Sequence, residues 1–227
     1  MARFAAVLLT VAMAAQPATA VASSIWAEVG DAGQLTSTAQ VPVGSGPLTT
    51  ITGELSFFDV DVFEIVVTGG GNFSATASGA SPLFLNPELF LFDSQGLGVY
   101  ANDDAFPPGG SPGEALLPAN NALTPIAPGI YFLAVSTFFL EPVSSSGAIF
   151  PCVGCNPTAV VGPTGPGGGS SLTGWSGFPF YAGSYTLTLT GAEVPSQTST
   201  VPEPATVSLL GLGLASIGAR RWRQRNA

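Results

Sequence analysis

The sequence contains no histidine and no lysine, and its five basic residues are all arginines, Arg3, Arg220, Arg221, Arg223 and Arg225, at the two ends of the chain. Between Ser23 and Thr200 there is no cationic side chain, whereas of the fourteen acidic residues all but Glu203 lie in that stretch. This excludes nucleic acid as a partner of the body, because phosphate is repelled by such a surface. It also removes the usual general bases for a serine or cysteine nucleophile, and with them most acyl-transfer chemistry. No salt bridge can form in the body, so a partly buried carboxylate must find hydroxyls, backbone N–H groups or a metal ion. There are only two cysteines, too few for a zinc site without histidine.

What is present is most legible at the ends. Met1 to Ala20 carries a positive Arg3, an apolar segment from Phe4 to Ala15 and a small-residue Ala18-Thr19-Ala20, the layout of a secretory signal peptide to be set apart from the fold. At the other end, a Val201-Pro202-Glu203-Pro204 corner precedes an apolar run from Ala205 to Ala219 and a basic end with Arg220 and Arg221. As a helix that run reaches about 22 Å, short of the roughly 30 Å hydrocarbon core, which predicts a temporary membrane anchor. The arginines retain that end in the cytoplasm and place the body outside. This tail closely resembles the PEP-CTERM sorting signal. The resemblance implies an inner-membrane-anchored precursor, passage through the secretion machinery, processing by an exosortase near Pro-Glu-Pro, and release to the outer envelope or exterior.

The body, residues 21–192, is long enough for one domain with a sizeable core, followed by a polar linker at 193–200. Short apolar runs separated by glycine and proline predict an all-β fold. Candidate strands are Glu54–Phe58, Asp61–Thr68, Asn72–Ser78, Glu88–Phe92, Leu97–Ala101, Ile130–Thr137 and Ser184–Gly191. In the last, Tyr185, Leu187 and Leu189 alternate with Thr186, Thr188 and Thr190, giving one apolar and one hydroxyl face. Gly69-Gly70-Gly71, Ser94-Gln95-Gly96 and Pro107-Pro108-Gly109-Gly110 are turns. A β-sandwich of jelly-roll type follows, flanked by the signal peptide and the C-terminal membrane-associated helix. Between residues 144 and 180 the pattern gives way to glycine, proline and serine, expected to be one long surface insertion with a short strand at Gly147–Phe150.

A second resemblance rests on the ordered series Trp26, Glu28, Gly30-Asp31-Ala32; Asp59-Val60-Asp61-Val62-Phe63; Leu89-Phe90-Leu91-Phe92-Asp93 with Gly96; Asn102-Asp103-Asp104; Pro128-Gly129-Ile130-Tyr131; and Gly183-Ser184-Tyr185. It is similar to the bacterial pre-peptidase C-terminal (PPC) domain. The resemblance implies a small β-sandwich of the sort appended to secreted hydrolases, some of which bind calcium or polymeric substrates. The body is expected to stand without an attached catalytic domain, and a cysteine-containing insertion is added.

Calcium is the sharpest chemical expectation. Asp59 and Asp61, two apart on an extended strand, leave the same face. Asp93 ends a strand, and Asn102, Asp103 and Asp104 follow the next; all six are expected to meet at one rim of the sandwich. Hard oxygens on loops suit Ca²⁺, which takes six to eight of them in loose geometry. The alternative is that each aspartate caps a turn and faces water. The spacing is not that of an EF-hand.

Cys152 and Cys155 are expected to close a small disulfide that pins the insertion in an oxidising exterior, with a redox role as the alternative. Trp175, Phe178, Phe180 and Tyr181 cluster near the end of the insertion. Exposed, Trp175 and Tyr181 could stack on sugar rings; otherwise they cover the core. The expected function is that of a non-enzymatic envelope or matrix protein, structural or adhesive, associated with exopolysaccharide. The rivals are a carboxylate-based glycan hydrolase and an accessory domain for a separately encoded hydrolase.

Overall fold

A computed structural model describes residues 23–79, 85–105, 113–179 and 181–196. The signal peptide, the linker beyond Ser196 and the whole sorting tail lie outside the described residues. The chain divides after Pro195, and every strand among the described residues lies before that point. The described residues contain no α-helix, and none long and apolar enough to cross a membrane; they are all-β.

Among the described residues thirteen strands follow in order: β1 Ser24–Ala27, β2 Leu48–Leu55, β3 Val60–Val67, β4 Ser74–Gly79, β5 Pro87–Asp93, β6 Gly98–Asn102, β7 Glu114–Leu117, β8 Gly129–Thr137, β9 Leu140–Ser144, β10 Gly147–Ala148, β11 Leu172–Gly177, β12 Gly183–Thr190 and β13 Ala192–Glu193. They form a five-stranded sheet β1-β2-β12-β4-β7, a second five-stranded sheet β13-β3-β8-β5-β6, and a three-stranded sheet β10-β9-β11. All pairings between these strands are antiparallel except β1 with β2.

The first two sheets share one apolar core. Ile51, Ala75, Ala77, Leu117, Leu187 and Leu189 come from the first sheet, and Phe63, Ile65, Val67, Leu89, Leu91, Leu133 and Val135 from the second. The first sheet keeps a wet outer face, which is why Thr188 and Thr190 of β12 are exposed while Leu187 and Leu189 are buried. The second sheet is buried on both faces. Val60, Val62, Phe90, Phe92, Phe132 and Ala134 point away from the shared core and pack under Leu140, Ile149, Phe150, Val153 and Leu172, with Trp175 against them. Burial on both sides explains why β5 and β8 read as unbroken apolar runs rather than alternating ones.

The segment expected to be a surface insertion is therefore a third layer. β9, β10, β11 and the chain between them cover the outer face of the second sheet, with Ile149 and Val153 fully buried. The glycines and prolines that hid this layer allow close backbone packing: a Cβ on Gly165 would strike the carbonyls of Ala148 and Phe150. Burying each large apolar side chain contributes roughly 1.5–3 kcal/mol, so the layer is an energetic part of the fold. The expected strand at Gly147–Phe150 is shortened to β10, because Ile149 and Phe150 leave it to fill this core. The expected strand Glu54–Phe58 lies earlier, as β2. Phe57 and Phe58 fall in the turn that follows and are 64% and 59% exposed, and Phe58 has φ 62°.

Candidate metal centre

Asp61 shares its side of β3 with Phe63, Ile65 and Val67, by the two-residue period of a strand, and so points between the two large sheets. It is completely buried. Its Oδ2 accepts the hydroxyl hydrogen of Tyr185, on β12 of the facing sheet, at 2.7 Å, while its Oδ1 has no hydroxyl or N–H donor; the Asp61 and Glu28 carboxyl groups are in hydrogen-bonding contact with each other. Glu28 follows β1 and stays beside β2: its N–H donates to the Thr52 carbonyl at 2.8 Å, and its carboxylate accepts the N–H groups of Ala32 at 2.8 Å and Glu54 at 3.1 Å. Gly53 leaves room for this approach, since a Cβ there would collide with the Tyr185 hydroxyl and the Glu28 carboxylate. The loop after Glu28 turns at Gly30 with φ 73° and carries Asp31.

One carboxylate oxygen each from Glu28, Asp31 and Asp61 lies within 4.8 Å of the other two. Two oxygens bound to one calcium at 2.3–2.6 Å are at most about 5 Å apart, so the three fit a common ion. Burial, opposed by the Tyr185 hydrogen bond and reinforced by the charges of Glu28, Asp59 and Asp31, pushes Asp61 up to about 8. Burial likewise raises Glu28 against the backbone N–H groups of Glu54 and Ala32. Burial and the facing Asp61 raise Tyr185 as well. The described residues include no Lys, Arg or His, so nothing in the folded body except a bound cation or a proton can compensate this group. A depression of about 260 Å³ lined by Glu28, Gly30, Asp31, Glu54, Ser56 and Asp59 opens Glu28 and Asp31, but not the buried Asp61, to solvent. An open groove of about 540 Å³ adjoins it along Glu28, Thr52, Gly53, Ser184, Tyr185 and Thr186.

The six residues expected at one rim do not meet at one point. Asp59 stands beside the group but spends its oxygens on a turn, with Oδ2 accepting from the N–H and hydroxyl of Ser56 at 3.1 Å and Oδ1 from Val60 N–H at 2.9 Å. Asp93 lies at the far end of β5, four residues beyond Leu89, which is level with Asp61 across β8, and so roughly 13 Å along the strand direction from it. There its Oδ1 accepts the N–H groups of Gln95 and Leu97, which makes it a turn former. Asn102 donates to the carbonyls of Asp104, Pro157 and Ala159 and accepts from Leu116 N–H, so its amide is structural. Asp104 accepts Gly113 N–H. Asp103 is buried on the outer side of the second sheet, away from Asp61, with both oxygens free of partners. Glu28 and Asp31 were missed as ligands because they lie some thirty residues before Asp59 in sequence, and only the pairing of β1 with β2 brings them together.

Cys152 and Cys155 are joined in a disulfide, as expected, with no free cysteine. Trp175 is a packing residue: its ring meets Phe90 edge-on at 5.4 Å between centroids, and its indole N–H donates to the Gln34 carbonyl at 2.7 Å. Tyr181 packs against the shared core. Neither is a free platform for a sugar ring; Phe178 is the exposed aromatic of that segment, and Phe180 lies outside the described residues.

The expected sorting residues, Val201, Pro202, Glu203, Pro204, Arg220 and Arg221, also lie outside the described residues. No curated protein matches the chain. A family model does: residues 200–224 match the PEP-CTERM protein-sorting motif, so the chain carries the signal for export by the exosortase route, with a membrane-anchored precursor stage.

Proposed function

We propose that the exported body is a non-catalytic, calcium-stabilised structural or adhesive protein of the outer envelope or extracellular matrix, built as a PPC-like β-sandwich of jelly-roll type. The observation that carries this is the buried Asp61, whose Oδ1 has no hydroxyl or N–H donor and whose carboxyl group meets those of Glu28 and Asp31, in a body with no cationic side chain. A calcium ion supplies the missing charge and joins the loop after β1 to the facing strand β3. The groove beside Glu28 and the exposed Phe57 and Phe58 on the Ser56–Asp59 turn give an adhesive contact, with exopolysaccharide as the partner. Against the glycan-hydrolase alternative stands the complete burial of Asp61, which keeps a glycosidic bond away from its carboxyl group.

The test is thermal unfolding of the exported protein in chelator, in millimolar calcium and in sodium chloride of matched ionic strength. Calcium bound only by the folded form adds RT ln(1 + [L]/Kd), about 2.7 kcal/mol at a hundredfold excess over Kd. Sodium chloride screens general repulsion but does not replace a coordinated ion. Asp61→Asn should lose most of the calcium-specific rise. An equal rise in both salts, or an undiminished rise in Asp61→Asn, rejects the metal centre.

A further inference from the structure

Three of the exposed large apolar side chains among the described residues stand directly beside the Glu28–Asp31–Asp61 group. Val29 lies between Glu28 and Asp31 in the chain and is 69% exposed. Phe57 and Phe58 lie between Ser56 and Asp59 and are likewise exposed. Glu28, Asp31, Ser56 and Asp59 all line the 260 Å³ depression, so each of the three apolar side chains is rooted at its margin. The turn that carries the phenylalanines is held in place: Asp59 Oδ2 accepts from the N–H and hydroxyl of Ser56, and the Gln34 side-chain amide donates to the Phe58 carbonyl at 3.1 Å. Phe58 keeps a left-handed φ of 62°, which is uncommon for a bulky residue, and neither ring turns in to the core. Apolar surface grouped in this way marks a contact face.

A calcium ion held by Glu28, Asp31 and Asp61 receives three protein oxygens of the six to eight that it takes. Asp61 is buried, whereas Glu28 and Asp31 open to solvent, so the remaining positions face the depression that the apolar rim borders. Without the ion, the carboxylates of Glu28, Asp31, Glu54 and Asp59 at this depression repel any anionic surface. With it, that repulsion is reduced and an anionic oxygen gains a direct ligand bond. Phenylalanine and valine carry no hydrogen-bonding group, so the rim itself suits hydrocarbon. Anionic oxygens on the ion and hydrocarbon on the rim together describe an anionic lipid.

We propose that Val29, Phe57 and Phe58 dock the body on an anionic phospholipid surface through the calcium ion: headgroup phosphate oxygens complete the coordination, and the three side chains enter the headgroup and acyl boundary. This rests on the calcium centre proposed above and adds a partner to it. The export route brings the protein to such a surface, because it includes a membrane-anchored stage.

The probe is a vesicle of phosphatidylglycerol and phosphatidylcholine in equal parts, sedimented with the exported, processed protein in millimolar calcium, in chelator and in sodium chloride of matched ionic strength. Vesicle binding should rise about tenfold or more in calcium over either control, and should be weaker on phosphatidylcholine alone. Val29→Ser/Phe57→Ser changes two exposed positions with ordinary backbone angles. It should keep the calcium-specific rise in melting temperature and lose about tenfold in vesicle binding. If calcium stabilises the protein without bringing it to the vesicle, or if the double variant binds as well as the wild type, the docking surface falls and the metal centre stands. If calcium neither stabilises the protein nor promotes binding, both fall.

Discussion

Tyr185 donates its hydroxyl hydrogen to Asp61 across 2.7 Å, from β12 of one large sheet to β3 of the other. Because both residues are buried, this bond ties the two sheets together inside the core and is the only hydrogen bond that a hydroxyl or N–H group gives Asp61 among the described residues, apart from its contact with the Glu28 carboxyl group. Removing it with Tyr185→Phe leaves a buried carboxylate with neither oxygen satisfied by a hydroxyl or N–H donor. The expected cost is about 1–3 kcal/mol, read by denaturant unfolding in chelator. An unfolding midpoint equal to that of the wild type would show that water already satisfies Asp61.

The metal-free protein should lose stability as pH rises. Asp61 moves from an ordinary 3.8 to about 8 on folding, chiefly through burial, and Glu28 moves in the same direction. The folded state therefore binds protons that the unfolded state releases, and stability falls with pH wherever the folded state binds more of them. The contribution is complete below about pH 4 and is lost progressively up to about pH 8; the charges facing Asp61 are Glu28, Asp59 and Asp31, all of one sign. Melting temperatures measured in chelator between pH 5 and 8.5 should fall by several degrees. With calcium present the fall should shrink, because the ion favours the ionised carboxylates. A flat profile in chelator would contradict the burial of Asp61 as an acid without a cationic partner.

Opening the disulfide should have a small global and a larger local effect. The cysteines are three residues apart, so their loop constrains little of the unfolded chain, and Cys152→Ser/Cys155→Ser should cost roughly 1–2 kcal/mol or less. Val153, between them, is buried and donates to Glu141. Hydrogen exchange of the Val153 and Gly154 amides should therefore accelerate in the double variant more than that of β3 or β8 amides. Uniform acceleration across all strands would mean that the disulfide supports the whole fold instead.

Sorting is testable in cells. The match to the sorting motif at residues 200–224 includes Pro202, Glu203 and Pro204. Replacing these three with alanine should leave the precursor in the inner membrane at its unprocessed mass. Normal export of a processed form would separate the motif from the route.

The legibility of this chain follows the range of the interactions involved. The sorting tail could be read directly because Pro-Glu-Pro, an apolar run and arginines are contiguous in sequence. The alternation of Tyr185, Leu187 and Leu189 with threonines is equally local, and β12 has the burial it predicts. The absence of cations in the body already required that its buried carboxylates find other partners.

Which carboxylates meet was a different matter. Asp59 and Asp61 share a side of the chain by strand period, yet their neighbours Glu28 and Asp31 come from a parallel pairing of β1 with β2 that no local pattern encodes. Asp103 stands apart from that group because it follows β6, which β8 and β5 separate from β3, and Asp93 is carried to the far end by the direction of β5. The glycine-rich segment after Ser144 showed no strand period, but its buried Ile149, Phe150 and Val153 make it the third layer. By itself the sequence determined the export signal, the β character and the charge problem, all of which depend on composition and neighbours along the chain. The tertiary structure alone decided the partners, because strand order and register bring together residues that a two-residue period cannot relate.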